Sequence, residues 1–371
     1  MPYDEESTAP HAGNSGGMTN PLIITRDQAL HDELQRLAAA AGVVPDVTSD
    51  PAAALRSWST ASVVLLGADV ADELAAIEPP RRVGVHLVAW GHLPDEAFRT
   101  ALALGIENVV ELPGCDSWVL EVLADSSERF DVDGVTIGVV GGSGGAGATT
   151  FSCALAMMAA REGPACLIDT DPLGPGADQV LGMERLDGVR WDALQQTTGR
   201  LGARALRDAL PRRGDLGVLT FGAGGPSGVE TLQPFAARAA VAAATRGHRV
   251  VVLDLPRAGG DLAEELMARC QSLVVVTRAT LPGLSSAARF AELARRSGPL
   301  ALVVRGSGVD AAEAQRLVGA PVLAAMPDQR GLDEAIDLGQ GPVKSRRGVL
   351  AKAARDVLRA VGPAAAARSA A

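Results

Sequence analysis

From residue 21 onward, short apolar runs alternate with stretches whose apolar positions recur every three or four residues. PLIIT (21–25) is followed by the helical pattern DQALHDELQRLAAAAG. Then come SVVLLG (62–67), VGVHLVAW (83–90), a helical DEAFRTALALG, NVVEL (108–112) and a further helix near 116–125. Apolar runs of strand length separated by amphipathic helices predict a parallel sheet with helices on both faces. The segment ADSSERFDVDG (124–134) is charged, lacks a large apolar cluster and reads as a linker. A longer series follows, with strands expected at 135–141, 165–170, 216–221, 249–254, 272–277, 299–304 and 321–325, and helices such as 228–247 and 284–298 between them. This predicts a larger doubly wound domain, whose ligands sit beyond the carboxyl ends of the strands.

The expected organisation is therefore a disordered tail (1–20), a first α/β domain (21–125), a linker (126–134), a second α/β domain (135–362) and a low-complexity, disordered end (363–371). A length of 371 residues accommodates two such cores. The net charge of −10 argues against a protein that coats nucleic acid, which would carry a basic face. Positive charge is almost all arginine: Lys344 and Lys352 are the only lysines, so none precedes residue 344 to serve a phosphate. Cys115, Cys153, Cys166 and Cys270 are scattered without metal-ligand spacing and read as four buried thiols in a reducing cytoplasm. The polar, acidic first 20 residues lack the features of a signal peptide, and no apolar run is long enough to cross a bilayer, so the expectation is a cytosolic protein.

The richest chemistry lies in GGSGGAGATT (141–150), between an apolar run and the helical FSCALAMMAA. Against the phosphate-loop pattern G-x-x-x-x-G-K-[ST], Gly142 and Gly147 take the glycine positions and Thr149 the hydroxyl position, but Ala148 replaces lysine. Gly144, Gly145, Ala146, Gly147, Ala148, Thr149 and Thr150 are the candidate nucleotide-binding residues. Backbone N–H groups and a helix N-terminus can hold phosphate without lysine, and Thr149 can bind Mg²⁺. What is lost is the ammonium that stabilises charge developing in phosphoryl transfer, which lowers the expected hydrolysis more than the expected binding. Downstream, CLIDTDPLGPGAD (166–178) places Asp169 and Asp171 at a strand end. RVVVLDLP (249–256) ends a strand in Asp254, and SLVVVTRATLPGL (272–284) ends another in a turn with Pro282.

In this order these features resemble the MinD/ParA group of deviant-Walker ATPases over residues 134–345. The group's K-G-G-x-G-K-[ST] loop is represented here by Ser143 through Thr149, with Ser143 and Ala148 in place of both lysines. The resemblance implies ATP/ADP with Mg²⁺ as cofactor, Asp171 as the residue positioning water, and Thr149, Asp169 and Asp254 as the metal-side residues. It also implies a homodimer. The group's asparagine that reads adenine falls at LVVRGS, where this chain has Arg305.

The first domain resembles a response-regulator receiver with its chemistry removed. Gly67 stands at the phosphoacceptor position, Asp69 lies two residues late, Asp27 is the acid after the first strand, and Leu112 precedes Pro113 where lysine is required. A merely solvated loop is the favoured reading of Asp69. A pseudo-receiver ahead of a lysine-poor MinD-like domain is similar to the CpaE/TadZ-like group. Its arginine-rich composition and GGSGGAGATT loop look closest to the actinobacterial septum site determining (Ssd) branch.

The resemblance implies a regulator of septum-site determination or of secretion/pilus localisation, with division or secretion/pilus proteins as partners. ATP binding would be weak or conditional and hydrolysis slow or absent. Alternatives are a nucleotide-independent scaffold and a ParA-type DNA-partitioning ATPase; the acidic balance counts against the last, and no specific nucleic acid is expected. The segment KSRRGVLAKAARDVLRAVG (344–362) carries a basic amphipathic pattern. Its apolar face lacks a Trp or Phe anchor, so core packing is favoured over peripheral membrane contact. The four tryptophans read as packing residues, and the arginines of RALRDALPRRG (204–214) as surface ion pairs.

Overall fold

A computed structural model describes residues 20–82, 84–127, 134–194, 201–222, 232–257 and 260–370. The chain divides into two compact units, Met1–Asp131 and Val132–Ala371. Residues 1–19 of the expected tail, 128–133 of the expected linker and the start of the helix expected from 228 lie outside the described residues.

The first unit runs β1 (Leu22–Ile24), α1 (Gln28–Ala40), β2 (Asp46–Thr48), α2 (Pro51–Trp58), β3 (Val64–Gly67), a 3-10 turn, α3 (Ala71–Ala76), β4 (Val85–Trp90), α4 (Asp95–Leu104), β5 (Asn108–Leu112) and α5 (Asp116–Ser127). The local signals are explicit. Asp27 accepts from the amides of Ala29 and Leu30 to cap α1; Asp50 caps α2, which starts on Pro51; Gly105, at φ 69°, closes α4. The five strands pair in parallel in the order β2-β1-β3-β4-β5, a flavodoxin-like arrangement. Trp58, Leu74 and Leu104 fill one face of the sheet, and Leu30, Leu34, Val119 and Leu123 the other.

The second unit comprises β6 (Val135–Gly141), α6 (Ala148–Ala159), β7 (Ala165–Asp169), α7 (Ala177–Leu181), α8 (Trp191–Leu194), α9 (Ala203–Ala209), β8 (Arg212–Arg213), β9 (Leu216–Leu219), α10 (Pro234–Gly247) and β10 (Val250–Leu255). It continues with α11 (Gly260–Ala268), β11 (Ser272–Arg278), α12 (Leu281–Ala294), β12 (Leu300–Arg305), α13 (Ala311–Val318), β13 (Val322–Met326), α14 (Leu332–Asp337), α15 (Val349–Val361) and α16 (Pro363–Ala370). The sheet order is β13-β12-β11-β6-β10-β7-β9-β8, parallel except for the β8–β9 pair. Strand β6 is central, with β11 and β10 on either side. The turn leaving it therefore opens at the carboxyl edge where neighbouring strands deliver their last residues.

Pro282 lies in the first turn of α12, where a missing N–H costs nothing, and Thr280 caps that helix through the amide of Gly283. The apolar stripe of α15 packs with α6 and β13: Leu350, Ala353, Ala354, Val357 and Leu358 are buried. Among the described residues no helix is long and apolar enough to cross a membrane. Three expectations are corrected. Residues 363–370 form α16 rather than a disordered end; Pro363 sits at its start and an alanine run follows, both favourable to a helix. Cys115 is exposed, while the other three thiols are buried. Trp90 is 44% exposed, whereas Trp58 and Trp191 are core residues.

Candidate functional site

The loop between β6 and α6 takes its path from its glycines. Gly145 and Gly147 have φ of 66° and 90°, a region that residues with a Cβ avoid. Gly142 donates its amide to the Val276 carbonyl at 2.8 Å, and a Cβ on it would come within 2.8 Å of Ala287. Its place beside β11 and α12 thus depends on a bare Cα. Ala146 donates to the Ser143 carbonyl at 3.3 Å, and the amides of Gly144, Gly145 and Gly147 donate to no backbone carbonyl among the described residues. Nothing lies within 4 Å of where a Cβ would stand on Gly144 or Gly145, so that side of the loop is open. The Ser143 hydroxyl, at the position of one missing lysine, and the buried Thr277 hydroxyl beneath Gly142 have no hydrogen-bond partner among the described residues. A phosphate fits this arrangement: it would supply acceptors to donors that the protein leaves over.

Two acidic strand ends meet beside the loop. Asp254 of β10 and Asp169 of β7 are register partners, and both are almost fully buried. Ser152, one turn into α6, donates its hydroxyl to Asp254 Oδ1 at 2.8 Å. Burial pushes Asp254 up to about 7, the charge of Asp169 adds to this, and hydrogen bonds from Thr149 and Ser152 oppose it. Thr149 and Asp254, two of the residues expected on the metal side, therefore lie in one neighbourhood. A cation there would relieve the buried charge.

Asp169 is more fully engaged. It accepts from the amides of Asp171 (3.1 Å) and Ala177 (3.0 Å) and from the Thr220 hydroxyl (3.0 Å). Burial nonetheless raises it to about 6. These bonds make Asp169 the anchor of the turn after β7. Trp191 Nε1 donates to its main-chain carbonyl at 2.7 Å, fastening the same strand end. Asp171 itself accepts from the Leu173 amide at 3.0 Å in a tight turn and is partly exposed. Among the described residues no group of three or more Asp, Glu, His or Cys side chains is placed to hold a metal. Thr150 lies in the first turn of α6, and Phe151 donates to the Gly147 carbonyl at 2.9 Å to start the helix.

Ser152, Thr220 and Trp191 contribute to the site without a signal in the motifs that located it. Arg305 is placed unexpectedly too. The last residue of β12, it pairs through Nε with Asp328 Oδ1 at 2.5 Å, and a Cβ built on Gly147 would lie 3.0 Å from its Nη1. Arg213, from the 204–214 segment, donates to the Leu181 and Gly182 carbonyls at 2.8 and 2.6 Å, while Arg204 pairs with Asp208.

In the first unit, Asp69 is bound to the loop after β1. Its oxygens accept from the Thr25 hydroxyl (2.8 Å) and from the amides of Arg26 (2.6 Å) and Asp27 (3.2 Å). Arg26 meanwhile pairs with Glu73 at 2.6 Å. A Cβ on Gly67 would fall 2.2 Å from Asp69 Oδ1 and 2.7 Å from Thr25 Oγ1. The carboxylate of Asp69 therefore occupies the space that a side chain at 67 would need. Asp69 is exposed, as expected of a solvated loop residue, and it also ties two loops together.

A family model described as the Rv3660c-like, CheY-like N-terminal domain matches residues 24–133. The Mycobacterium tuberculosis protein Rv3660c (strain H37Rv) is 36% identical over 340 residues, covering 90% of this chain and 95% of that protein. Among solved structures, a ParA family ATPase of Chlorobium tepidum aligns at TM-score 0.52 and 16% identity, over 60% of this chain and 96% of its own. The cell division ATPase MinD of Pyrococcus furiosus aligns at TM-score 0.51 and 22% identity, over 61% and 99%. The septum site-determining protein MinD of Pyrococcus horikoshii, complexed with Mg-ADP, aligns at 0.50 and 21%, over 60% and 93%. At these identities the likeness is one of fold: a MinD/ParA-like P-loop fold. Extending over nine-tenths of the sequence, the similarity to the mycobacterial protein shows that this chain belongs to the Rv3660c-like family, in which a CheY-like N-terminal domain precedes that fold.

Proposed function

We propose that the protein is a MinD/ParA-type regulator that binds ATP or ADP with Mg²⁺ weakly or conditionally through its lysine-less loop and hydrolyses ATP slowly or not at all. The observation that carries this reading is the open loop, with amides at Gly144, Gly145 and Gly147 left for an acceptor beside the Thr149–Asp254 contact. The loop amides and the N-terminus of α6 would hold phosphate, and Thr149 with Asp254 would face the metal. Asp169 supports that region by fixing the turn that carries Asp171. Asp171 is the group suited to positioning water, and Asp171→Ala should lower whatever hydrolysis a purified preparation displays. Without lysine at 143 or 148, several kcal/mol of transition-state stabilisation is missing, roughly the cost of removing one such group from an active site. Tight control of a bound state is then more accessible than turnover.

The receiver-like domain serves protein contacts in this reading, since its acids are spent on its own backbone. Its place ahead of a MinD/ParA-like unit supports a homodimeric regulator that positions division or secretion/pilus machinery. The CpaE/TadZ-like group and its septum-site branch are the models for that role. The deciding experiment is calorimetric titration of the full chain with ATP-Mg²⁺, paired with a thermal shift. A ligand that binds only the folded protein must raise its melting temperature. Absence of heat and of any shift at millimolar ATP would leave the nucleotide-independent scaffold, the reading favoured by Ala148 and by the pairing of Arg305 with Asp328.

A further inference from the structure

We infer that Arg305 is the phosphate-binding cation of this loop, replacing from another strand the lysines absent at Ser143 and Ala148. The inference rests on the proposed nucleotide site and names the group that would hold the phosphate charge there. β12 is separated from β6 only by β11, and a long side chain at its carboxyl end spans that distance. The root of the side chain is fixed on both sides. The Arg305 carbonyl accepts from the Ala279 amide at 2.7 Å, and Gly306 donates to the Met326 carbonyl at 2.8 Å.

From that root the guanidinium reaches the glycine that begins α6. Gly147 adopts φ 90° and lacks the Cβ that would come within 3.0 Å of Nη1. A positive group is therefore already seated against a turn of chain whose amides could receive an anion. Its side chain is 29% exposed, so solvent screens the charge only in part.

Asp328 makes this a conditional site. Its carboxylate holds Nε of Arg305 and leaves the two terminal nitrogens of the planar fork for other acceptors. A ligand must compete with a carboxylate already in place, which favours groups carrying several negative charges, such as the β- and γ-phosphates of a nucleoside triphosphate or inorganic pyrophosphate. Position 305 is where the resemblance would have placed a base-reading asparagine. The geometry directs it to the phosphates instead.

The experiment measures the affinity of the full-length protein for ATP-Mg²⁺ and for pyrophosphate-Mg²⁺ in four forms: wild type, Arg305→Gln, Arg305→Lys and Asp328→Asn. Circular dichroism confirms that each variant folds, as expected for a pair at the rim of the sheet. Arg305→Gln should weaken both ligands by about tenfold or more, the scale of one lost hydrogen-bonded charge. Arg305→Lys should recover part of the loss, and Asp328→Asn should tighten both ligands several-fold. If wild type binds and Arg305→Gln binds both ligands within about twofold of it, the assignment to Arg305 is wrong while the nucleotide site stands. Loss of ATP with unchanged pyrophosphate affinity would assign Arg305 to the base and also overturn the inference. Failure of wild type to bind either ligand would overturn the nucleotide reading itself, and this inference with it.

Discussion

Replacing Asp254 with asparagine should make the unliganded protein more stable and remove its Mg²⁺-dependent nucleotide binding. Asp254 is 2% exposed, beside a second buried carboxylate, and sits at about 7 against an ordinary 3.8. Because the folded value is raised, folded protein holds a proton between about pH 4 and 7 that the unfolded chain releases. The associated stability is full at low pH and is lost as pH rises through 7. Above that, the protein carries a buried charge whose burden, from a shift of about three units at 1.36 kcal/mol each, has an upper bound near 4 kcal/mol. Local relaxation trims this to about 1–3 kcal/mol.

Asparagine keeps the shape and an acceptor for the Ser152 hydroxyl but removes the charge. At pH 8 the transition of the second unit should therefore rise by roughly 2–12 °C, using about 2–4 °C per kcal/mol for a domain of this size. At pH 5, where folded Asp254 keeps its proton and only the unfolded chain has begun to release one, the gain should shrink to roughly 0.4 of its pH 8 value. Scanning calorimetry of both proteins at the two pH values measures this directly. An equal gain at pH 5 and pH 8, or a loss at pH 8, would refute the claim that a buried charge is the cause. Bound Mg²⁺-nucleotide offsets the same charge, so it should stabilise wild type and leave Asp254→Asn unchanged.

Asp69→Ala should destabilise the first unit by about 0.5–1.5 kcal/mol in urea unfolding, because Thr25 and the amides of Arg26 and Asp27 exchange a carboxylate acceptor for water. Gly67→Ala should cost at least as much, since its Cβ would collide with that carboxylate, and mass spectrometry after exposure to acetyl phosphate should find no phosphate on wild type. His248 is buried and lowered to about 4, so its contribution runs opposite to that of Asp254: it is present above pH 6.5 and lost as pH falls towards 4. His248→Gln should therefore flatten the acid side of the stability profile between those values, by up to about 3 kcal/mol at pH 4. Val357→Asp, on the buried face of α15, should unfold or strongly destabilise the second unit, by about 3 kcal/mol or more in denaturant titration. A membrane-lying helix would tolerate that change in solution.

The parallel strands were legible because burial on both faces makes them continuous apolar runs, as in VVVLDL of β10 and LVVVT of β11. The missed β2 has the opposite character. It is an edge strand, Asp46–Thr48, with no apolar run and two of its three residues exposed, so pairing with β1 creates it more than composition does. The loop and the acids after β7 and β10 were found by spacing along the chain, since each lies at the end of its own strand. Ser152, Thr220 and Arg305 were not assigned these contacts, because each depends on which strands and helices become neighbours. Burial at Cys115 and Trp90 failed for a related reason: Trp90 is the last residue of β4 and Cys115 follows the end of β5, where composition gives no signal of what covers them.

The two units treat their missing chemistry in different ways, and this bears on where a ligand could act. In the first, the displaced Asp69, though exposed, satisfies the donors of the neighbouring loop, while Gly67 leaves the room that this requires. Nothing at that edge calls for a phosphoryl group, and restoring an aspartate at 67 would collide with the staple. In the second, where no lysine is present, the donors of the loop are without acceptors among the described residues: open amides, a buried Ser143 hydroxyl and a buried Thr277 hydroxyl. Beside them stands an acidic pair that costs stability while it is charged and without a cation. A buried polar group without a partner is a standing cost unless something binds to it. The free energy available to a ligand therefore lies in the loop of the second unit, where an anion and a divalent cation arriving together would satisfy both deficits.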